Sequence, residues 1–296
     1  MTARRNSTDA PQRAPVEGTT RVVGILGDPV DHSLSPRMHN AAYAALGLDY
    51  VYVPLRATPS TIRGAVRAMR TLGIVGFNVT VPYKQDVVKL VDRLTATAAA
   101  IGAVNTIYRD ADTIVGDNTD APGFLAALKS HAVKVRGARV LVIGAGGSAR
   151  AVLHALRSGG AVDVVLANRT RARAVRLARE FGVTATALTA LAEDGLLGTR
   201  TLVVNCTPVG LHGGSFLDYD ARMTRADCTH FDLAYAATGR TPFLDLARHA
   251  RRPIIDGRHM LVHQGAAAFR LFTGRKAPVD VMLAAIGVRD RGAGRH

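Results

Sequence analysis

The stretch Val140-Leu141-Val142-Ile143-Gly144-Ala145-Gly146-Gly147-Ser148-Ala149-Arg150 has the residue types needed to hold a pyrophosphate. An unbroken apolar run predicts a strand over 140–143, buried on both faces. The apolar spacing from Ala149 to Leu156 predicts a helix, so the glycines fall in a strand-to-helix turn. Gly144 permits the tight turn, Gly146 lets backbone approach phosphate oxygens, and Ala149 is small enough for close helix–strand packing. The helix N-terminus then offers free N–H groups and a positive dipole end to an anion. A glycine-rich turn is often only a turn, and the next unit bears on the choice. Val162 to Ala167 reads as a second strand, ending in Asn168-Arg169-Thr170-Arg171-Ala172-Arg173. A dinucleotide fold that takes NAD usually places an acid at this strand end for the ribose 2′-OH, whereas one that takes NADP places arginine there for the 2′-phosphate. Arg169, with Arg173 one turn further on, fits NADP; a solvated basic helix start is the alternative.

Three further places carry reactive or hydrogen-bonding side chains. In Asn78-Val79-Thr80-Val81-Pro82-Tyr83-Lys84, alternation puts Asn78 and Thr80 on one strand face, and Pro82 predicts a helix with Lys84 in its first turn. A cation at the positive end of a helix is locally the wrong choice, which is expected where a site overrides propensity; an ordinary surface lysine also fits. Ser35-Pro36 suits the N-cap and first turn of a helix through Leu46, ended by Gly47. Ser33 and Ser35 together would equally suit a carboxylate ligand beside that helix N-terminus, and spacing alone does not choose. Asp120, after Gly116-Asp117-Asn118-Thr119, fits the cap of a helix reaching about Ser130.

The elements that would position these groups alternate between strand and helix. Strands are expected over Arg21–Leu26, Tyr50–Pro54 and about 74–81, with a helix over Ser60–Leu72, which implies a parallel sheet. Val104–Tyr108 and Thr113–Val115 flank Asp110-Ala111-Asp112 as a hairpin. The polar, basic stretch from Lys129 to Arg139 marks a domain boundary. Beyond it, a helix over Ala172–Phe181 and strands over Thr201–Val204 and His230–Leu233 continue a doubly wound pattern, in which strand ends such as Asn205 to Gly210 line the crevice. Met260–Gly274 and Asp280–Ile286 read as helices. His259 and His263 lie four apart, but Met260 occupies the place where a metalloprotease motif needs glutamate, so no metal site is expected.

With 296 residues, 48% of them hydrophobic, the chain can bury two cores and suits a soluble α/β protein. The net charge of +15 raises the question of nucleic acid, but the basic residues spread from Arg4 to Arg295 without aromatic interleaving, a helix-turn-helix or a zinc pattern. No nucleic-acid partner is expected. Cys206 and Cys228 form no disulfide framework or metal spacing, which fits a reducing cytosol and a cytoplasmic location. Residues 1–20, with Pro11, Pro15 and Gly18, read as a disordered tail without a signal-peptide core. No run approaches membrane-spanning length and no fixed repeat is found.

In order along the chain, these stretches resemble the shikimate dehydrogenase family from Arg21 to about Gly287. Ser33-Leu34-Ser35 is similar to the family's paired-hydroxyl carboxylate site, and the Asn78–Lys84 run to its signature around the catalytic lysine. Asn105, in Gly102-Ala103-Val104-Asn105-Thr106, matches its substrate asparagine, and Asp120 its catalytic aspartate. Gly144–Ser148 matches the cofactor loop, Asn168–Arg173 the 2′-phosphate clamp, and Asn205–Gly210, with Thr207, the nicotinamide-side loop. Tyr235, Gly257 and Gln264 match the remaining substrate and cofactor positions. Two residues depart from the pattern: Leu233 stands where the family commonly has methionine near the nicotinamide, and His259 where it has glycine.

The resemblance implies an α/β chain of two domains: a substrate domain over 21–121, completed by C-terminal helices over 258–290, and a Rossmann-like NADP domain over 122–257. It implies catalysis in the cleft between them by Lys84 and Asp120. Ser33, Ser35, Asn78, Thr80, Asn105, Asp120, Tyr235 and Gln264 would hold substrate. Gly144, Ala145, Gly146, Gly147, Ser148, Asn168, Arg169, Thr170, Arg173, Thr207, Leu233 and Gly257 would hold cofactor. The implied reaction is hydride transfer from NADPH to the C3 ketone of 3-dehydroshikimate, giving shikimate, by a monomer or homodimer. A quinate or aminoshikimate dehydrogenase of the same family would keep nearly every motif. A non-catalytic ligand sensor is the reading from a different class, and the presence of both Lys84 and Asp120 argues against it.

Overall fold

Strands rich in valine and isoleucine alternate with alanine- and leucine-bearing helices through most of the chain, in a computed structural model that describes residues 15–192, 195–209 and 214–288. The order is β1 (Arg21–Gly27), α1 (Ser35–Ala45), β2 (Tyr50–Arg56), α2 (Ile62–Thr71), β3 (Gly76–Val79), β4 (Arg93–Leu94), α3 (Ala96–Ile101), β5 (Thr106–Asp110), β6 (Thr113–Asp117) and α4 (Asp120–Ser130). There follow β7 (Arg139–Ile143), α5 (Gly147–Ser158), β8 (Asp163–Asn168), α6 (Arg171–Phe181), β9 (Thr184–Ala187), β10 (Leu202–Asn205), β11 (Thr229–Asp232), α7 (Pro242–His249), β12 (Ile254–Ile255), α8 (Gly257–Thr273) and α9 (Val279–Ala285).

The strands form two sheets, ordered β2-β1-β3-β5-β6-β4 and β12-β11-β10-β7-β8-β9. Every pairing in the second is parallel. Its order runs outward one way from β7 through β8 to β9, then the other way from β10, so the switch point lies between β7 and β10, where a crevice opens at the strand ends. The expectation for β7 holds in detail. Val140 and Val142 join the core under α4 and α5, while Leu141 and Ile143 join a separate core with Phe243 and Leu244 of α7. In the first sheet β1 pairs in parallel with β2 and β3, as the strand–helix–strand pattern implies, and the expected hairpin β5–β6 enters antiparallel to β3. A two-residue reversal at Ala111 and Asp112 leaves no room for a crossover helix.

The last helices return to the first sheet: Phe269 and Phe272 of α8 and Met282 of α9 share a core with Val23 and Ile25 of β1 and Met38 of α1. At the other end of the chain, Glu17 to Thr20 make a turn, with the Thr19 and Thr20 hydroxyls each donating to Asp49 at 2.6 Å. This part of the expected disordered tail is therefore tied down; residues 1–14 of that tail, with Gly210 and residues 289 and 290, lie outside the described residues. Among the described residues no helix is long and apolar enough to cross a membrane.

One helix in the sequence reading does not form. Residues Val81 to Gln85 are successive turns, and only a short 3-10 turn follows at Asp86–Lys89. The carbonyls that would start a helix are already used. Val81 accepts from the Asp28 N–H at 3.1 Å, and Lys84 accepts from the Val104 N–H at 2.7 Å. Lys84 is therefore not in the first turn of a helix, and the dipole misfit that drew attention to it is absent.

Candidate active site

The ends of β1 and β3, the residue before β5 and the start of α4 meet the mouth of the second sheet at a cleft of about 520 Å³. Lys84 and Asp120 face each other across it, with Nζ donating to Oδ2 at 2.6 Å. Both side chains are mostly shielded, at 13% and 6% exposure, so this is a partly desolvated ion pair rather than a surface one. The second Asp120 oxygen accepts from the Asn105 amide at 2.9 Å, and that amide also lies within bonding distance of Thr119 Oγ1 and Gln264 Oε1.

The cap of α4 is supplied elsewhere. Asn118 Oδ1 accepts from the Asp120 and Ala121 N–H groups, which leaves the Asp120 carboxylate to Lys84 and Asn105. The capping role open to Asp120 in the sequence therefore belongs to its neighbour two residues back. Ser35 changes in the same way. It is the first helical residue of α1 rather than the cap, and its N–H donates to Ser33 Oγ at 3.2 Å. Ser35 neighbours the buried Tyr52, and Ser33 neighbours Tyr235. Burial raises the Tyr235 phenol above its ordinary range, against bonds from the Leu34 backbone and Ser33 that lower it.

Asn78 projects from β3 and is gripped on both sides. Its Oδ1 accepts from Tyr52 Oη at 2.8 Å, and its amide donates to Thr106 Oγ1 at 3.0 Å. Thr80, one strand position pair further on, also lines the cleft. From the second sheet come Ser148, Thr207, Leu233 and Gly257, with Tyr235 and Gln264 closing the far side. Cys206, within the expected Asn205–Gly210 loop though not singled out there, and Met260, which the sequence reading misses, line the cleft too. Burial pushes the Cys206 thiol well up, reinforced by Asp232 and Asp120, so it is held as an unreactive thiol.

Behind these loops Asp232 accepts from Asn205, from the Ala234 N–H and from Thr241, joining the ends of β10 and β11. Burial pushes its carboxyl up to about 7, against these three donors.

The glycine turn stands at the rim. Gly144 has φ +109, and a Cβ there would lie 2.8 Å from Thr207 Cγ2, so both backbone and space demand glycine. A Cβ on Gly146 would meet nothing within 4 Å, and no side chain caps α5, which leaves its first N–H groups without a side-chain acceptor. Ala145 packs against the core beneath, while a Cβ on Gly147 would lie 3.4 Å from the Cβ of Lys84. The glycine turn and the lysine are thus immediate neighbours. Gly144 N–H donates to Ala167 O, which sets the end of β8 beside the turn. There Asn168 bonds the Thr170 carbonyl, and Arg169, Thr170 and Arg173 are exposed outside the cleft lining. These residues fit a dinucleotide whose pyrophosphate lies on α5 and whose 2′-phosphate reaches the arginines. Asp163, at the other end of β8, pairs with Arg200 at 2.8 Å and Arg139 at 3.5 Å.

His259 sits on α8 with its ring edge-on to His131 of α4 at 4.4 Å, so the departure at this position fills the crossing of two helices. Among the described residues no group of three or more His, Cys, Asp or Glu side chains is placed to hold a metal ion.

A mixed sheet bearing a shielded lysine–aspartate pair, set against a parallel sheet with a glycine turn at its switch point, defines a two-domain dinucleotide-binding enzyme. Residues 25–107 match the model of the shikimate dehydrogenase substrate binding domain, residues 126–207 that of shikimate / quinate 5-dehydrogenase, and residues 257–286 that of the shikimate 5′-dehydrogenase C-terminal domain. The chain belongs to the shikimate dehydrogenase family. It is 44% identical over 283 residues to shikimate dehydrogenase (NADP(+)) of Methanopyrus kandleri, across 92% of this chain and 96% of that one. A crystal structure of a shikimate dehydrogenase in complex with NADP+ superposes with a TM-score of 0.86 at 35% identity, covering 93% of this chain and 98% of the other. The Thermus thermophilus enzyme in complex with NADP(H) and shikimate gives 0.81 at 37% identity, over 90% and 98%.

Proposed function

We propose that this protein catalyses the reversible, NADP(H)-dependent reduction of 3-dehydroshikimate to shikimate. The observation that carries the reading is the Lys84–Asp120 pair, set at the cleft between a carboxylate-sized hydroxyl pocket and the glycine turn. NADPH, when bound, supplies the hydride that forms the new C–H bond at the C3 ketone and leaves as NADP+. The electron pair of the C=O π bond moves to oxygen as this happens, and a proton must reach that oxygen. Lys84 Nζ is the group to give it, held in place by Asp120, and it takes the proton back in the reverse direction. Asn105, whose amide also reaches Gln264, holds the other oxygen of the aspartate, and both amides offer hydrogen bonds to ring hydroxyls. Ser33, Ser35 and Tyr235 hold the carboxylate end, away from the reacting carbon.

Initial rates of the purified protein with shikimate against quinate, and NADP against NAD, test the assignment. Turnover should be highest with shikimate and NADP. A preference for quinate would move it to the neighbouring activity named in the family description of residues 126–207. The same reading makes the enzyme a cytoplasmic monomer or homodimer without a nucleic-acid partner, supported by dispersed arginines and two unpaired cysteines.

Two results follow for binding. Arg169→Ala should weaken NADP by roughly ten- to a hundredfold, the scale of one charge-assisted bond of about 1.5 to 3 kcal/mol, and barely change NAD. Dissociation constants for both cofactors decide it, and equal losses would remove Arg169 from the 2′-phosphate site. Replacing Ser33 and Ser35 together by alanine should raise KM for shikimate roughly tenfold or more, with NADP affinity unchanged. An unmoved KM would leave the two hydroxyls a structural role alone, such as the Ser33 bond to the Ser35 N–H.

A further inference from the structure

Arg150 belongs to the glycine-turn motif, yet its side chain points away from the cleft. It lies in the first turns of α5, three residues after Gly147, and its guanidinium reaches across to the first domain. Nε donates to the carbonyl of Ile101, the last residue of α3, where a helix C-terminus leaves carbonyls unsatisfied and favours a cation. Nη2 pairs with Glu180 of α6 at 2.6 Å, and the group lies over the Phe181 ring at 5.4 Å. Gly102, at φ +67, makes the approach possible: a Cβ there would stand 2.7 Å from Arg150 Nη2. The side chain is 17% exposed, so its several partners fix it.

The segment that Arg150 grips leads straight into the site. Gly102 N–H donates to Ala98 O, Val104 N–H to the carbonyl of Lys84, and Asn105 N–H to Asp117 O. One short run thus holds the backbone of Lys84 and carries Asn105, the residue that bonds Asp120. The turn at the start of α5 is on the other side of the same arginine.

We infer that Arg150 is a positioning residue that couples the dinucleotide turn to the substrate-side segment 102–105, so that a cofactor seated on α5 firms the backbone that places Lys84 and Asn105. The inference rests on the reading of Gly144–Ser148 as the NADP site. Its energy comes from a two-sided anchor: the guanidinium is bound to both domains, so restricting α5 restricts Ile101 and Gly102. By linkage, shikimate should then tighten NADP by the same factor by which NADP tightens shikimate.

Amide hydrogen exchange of wild type, Arg150→Met and Arg150→Lys, each with and without NADP, tests the coupling. In wild type NADP should slow exchange at Gly102, Val104 and Asn105 about fivefold or more. The slowing should be lost in Arg150→Met, together with a fivefold to tenfold rise in KM for shikimate and a fall in kcat, since Lys84 is then less firmly placed. Arg150→Lys keeps a cation for the Ile101 carbonyl but cannot fork to Glu180, so it should show a reduced ratio, and it serves as the readout if the methionine variant does not fold. Absence of NADP-dependent slowing in wild type, or full slowing in a folded variant, would overturn the inference. A merely structural cap would lower Tm and leave the ratio intact, which also overturns it. Wild-type turnover with shikimate and NADP is read separately, so failure of the assigned reaction is distinguishable from failure of the coupling.

Discussion

Lys84→Ala should lower kcat by about 10²- to 10⁴-fold, the range for loss of a positioned acid–base group, while KM for shikimate and affinity for NADP change much less. The direction follows from where the ammonium sits. It is bonded to Asp120 at 2.6 Å, its stem lies beside Gly147, and it opens on the cleft in which the substrate carbonyl must lie. An interaction used in the transition state but little in the ground state appears in kcat rather than KM. The substitution also leaves Asp120 shielded without its cation, which in buried pairs costs about 3 to 5 kcal/mol. Tm should therefore fall as well. Rates are to be compared well below the transition, where a loss of folded protein cannot imitate a loss of chemistry. Near-normal turnover in folded Lys84→Ala would remove the lysine from the reaction.

Asp120→Asn should cost a similar 10²-fold or more in kcat. The amide is the same size but has one oxygen: if it accepts from Asn105 it presents an N–H group to Lys84, and if it turns a neutral oxygen to Lys84 it loses the Asn105 bond. The lysine then loses the charge that orients it. Helix stability should be nearly unaffected, because the cap of α4 is Asn118 and not Asp120. This separates the two uses that the sequence alone left open. A fall in Tm with kcat intact would favour the structural use, and the account expects the reverse.

The parts of the molecule that are periodic or glycine-marked could be read from the chain. The two-faced burial of 140–143 and the turn after it follow from local pattern, because a parallel strand under helices needs apolar residues on both sides and a phosphate turn needs glycine. Of the two grounds for Lys84, the family signature over Asn78–Lys84 and the helix-dipole misfit, the second fails. The supposed helix after Pro82 is replaced by turns, since tertiary bonds from Asp28 and Val104 capture the carbonyls first, and no local propensity reports such competition. Ser35 and Asp120 were ambiguous because serine and aspartate serve caps and sites alike, and only the observed partners, Ser33 and Asn118, decide who caps what. The strand β9, Thr184-Ala185-Thr186-Ala187, has no large apolar residue to mark it, and β12 pairs over two positions only, too few to show a period. Cys206 and Met260 reach the cleft by topology, which composition does not reveal.

Everything in the functional account turns on hydride leaving the substrate carbon while Lys84 takes its proton. A single-turnover experiment measures this most directly: enzyme in excess is mixed with NADP and shikimate, and the reduced nicotinamide is followed by its absorbance in wild type and Lys84→Ala. The account predicts one equivalent of reduced cofactor formed rapidly by wild type, and the same species formed at least about a hundredfold more slowly by the variant at saturating ligand. No reduced cofactor from wild type, or equal rates in the two proteins, would contradict it.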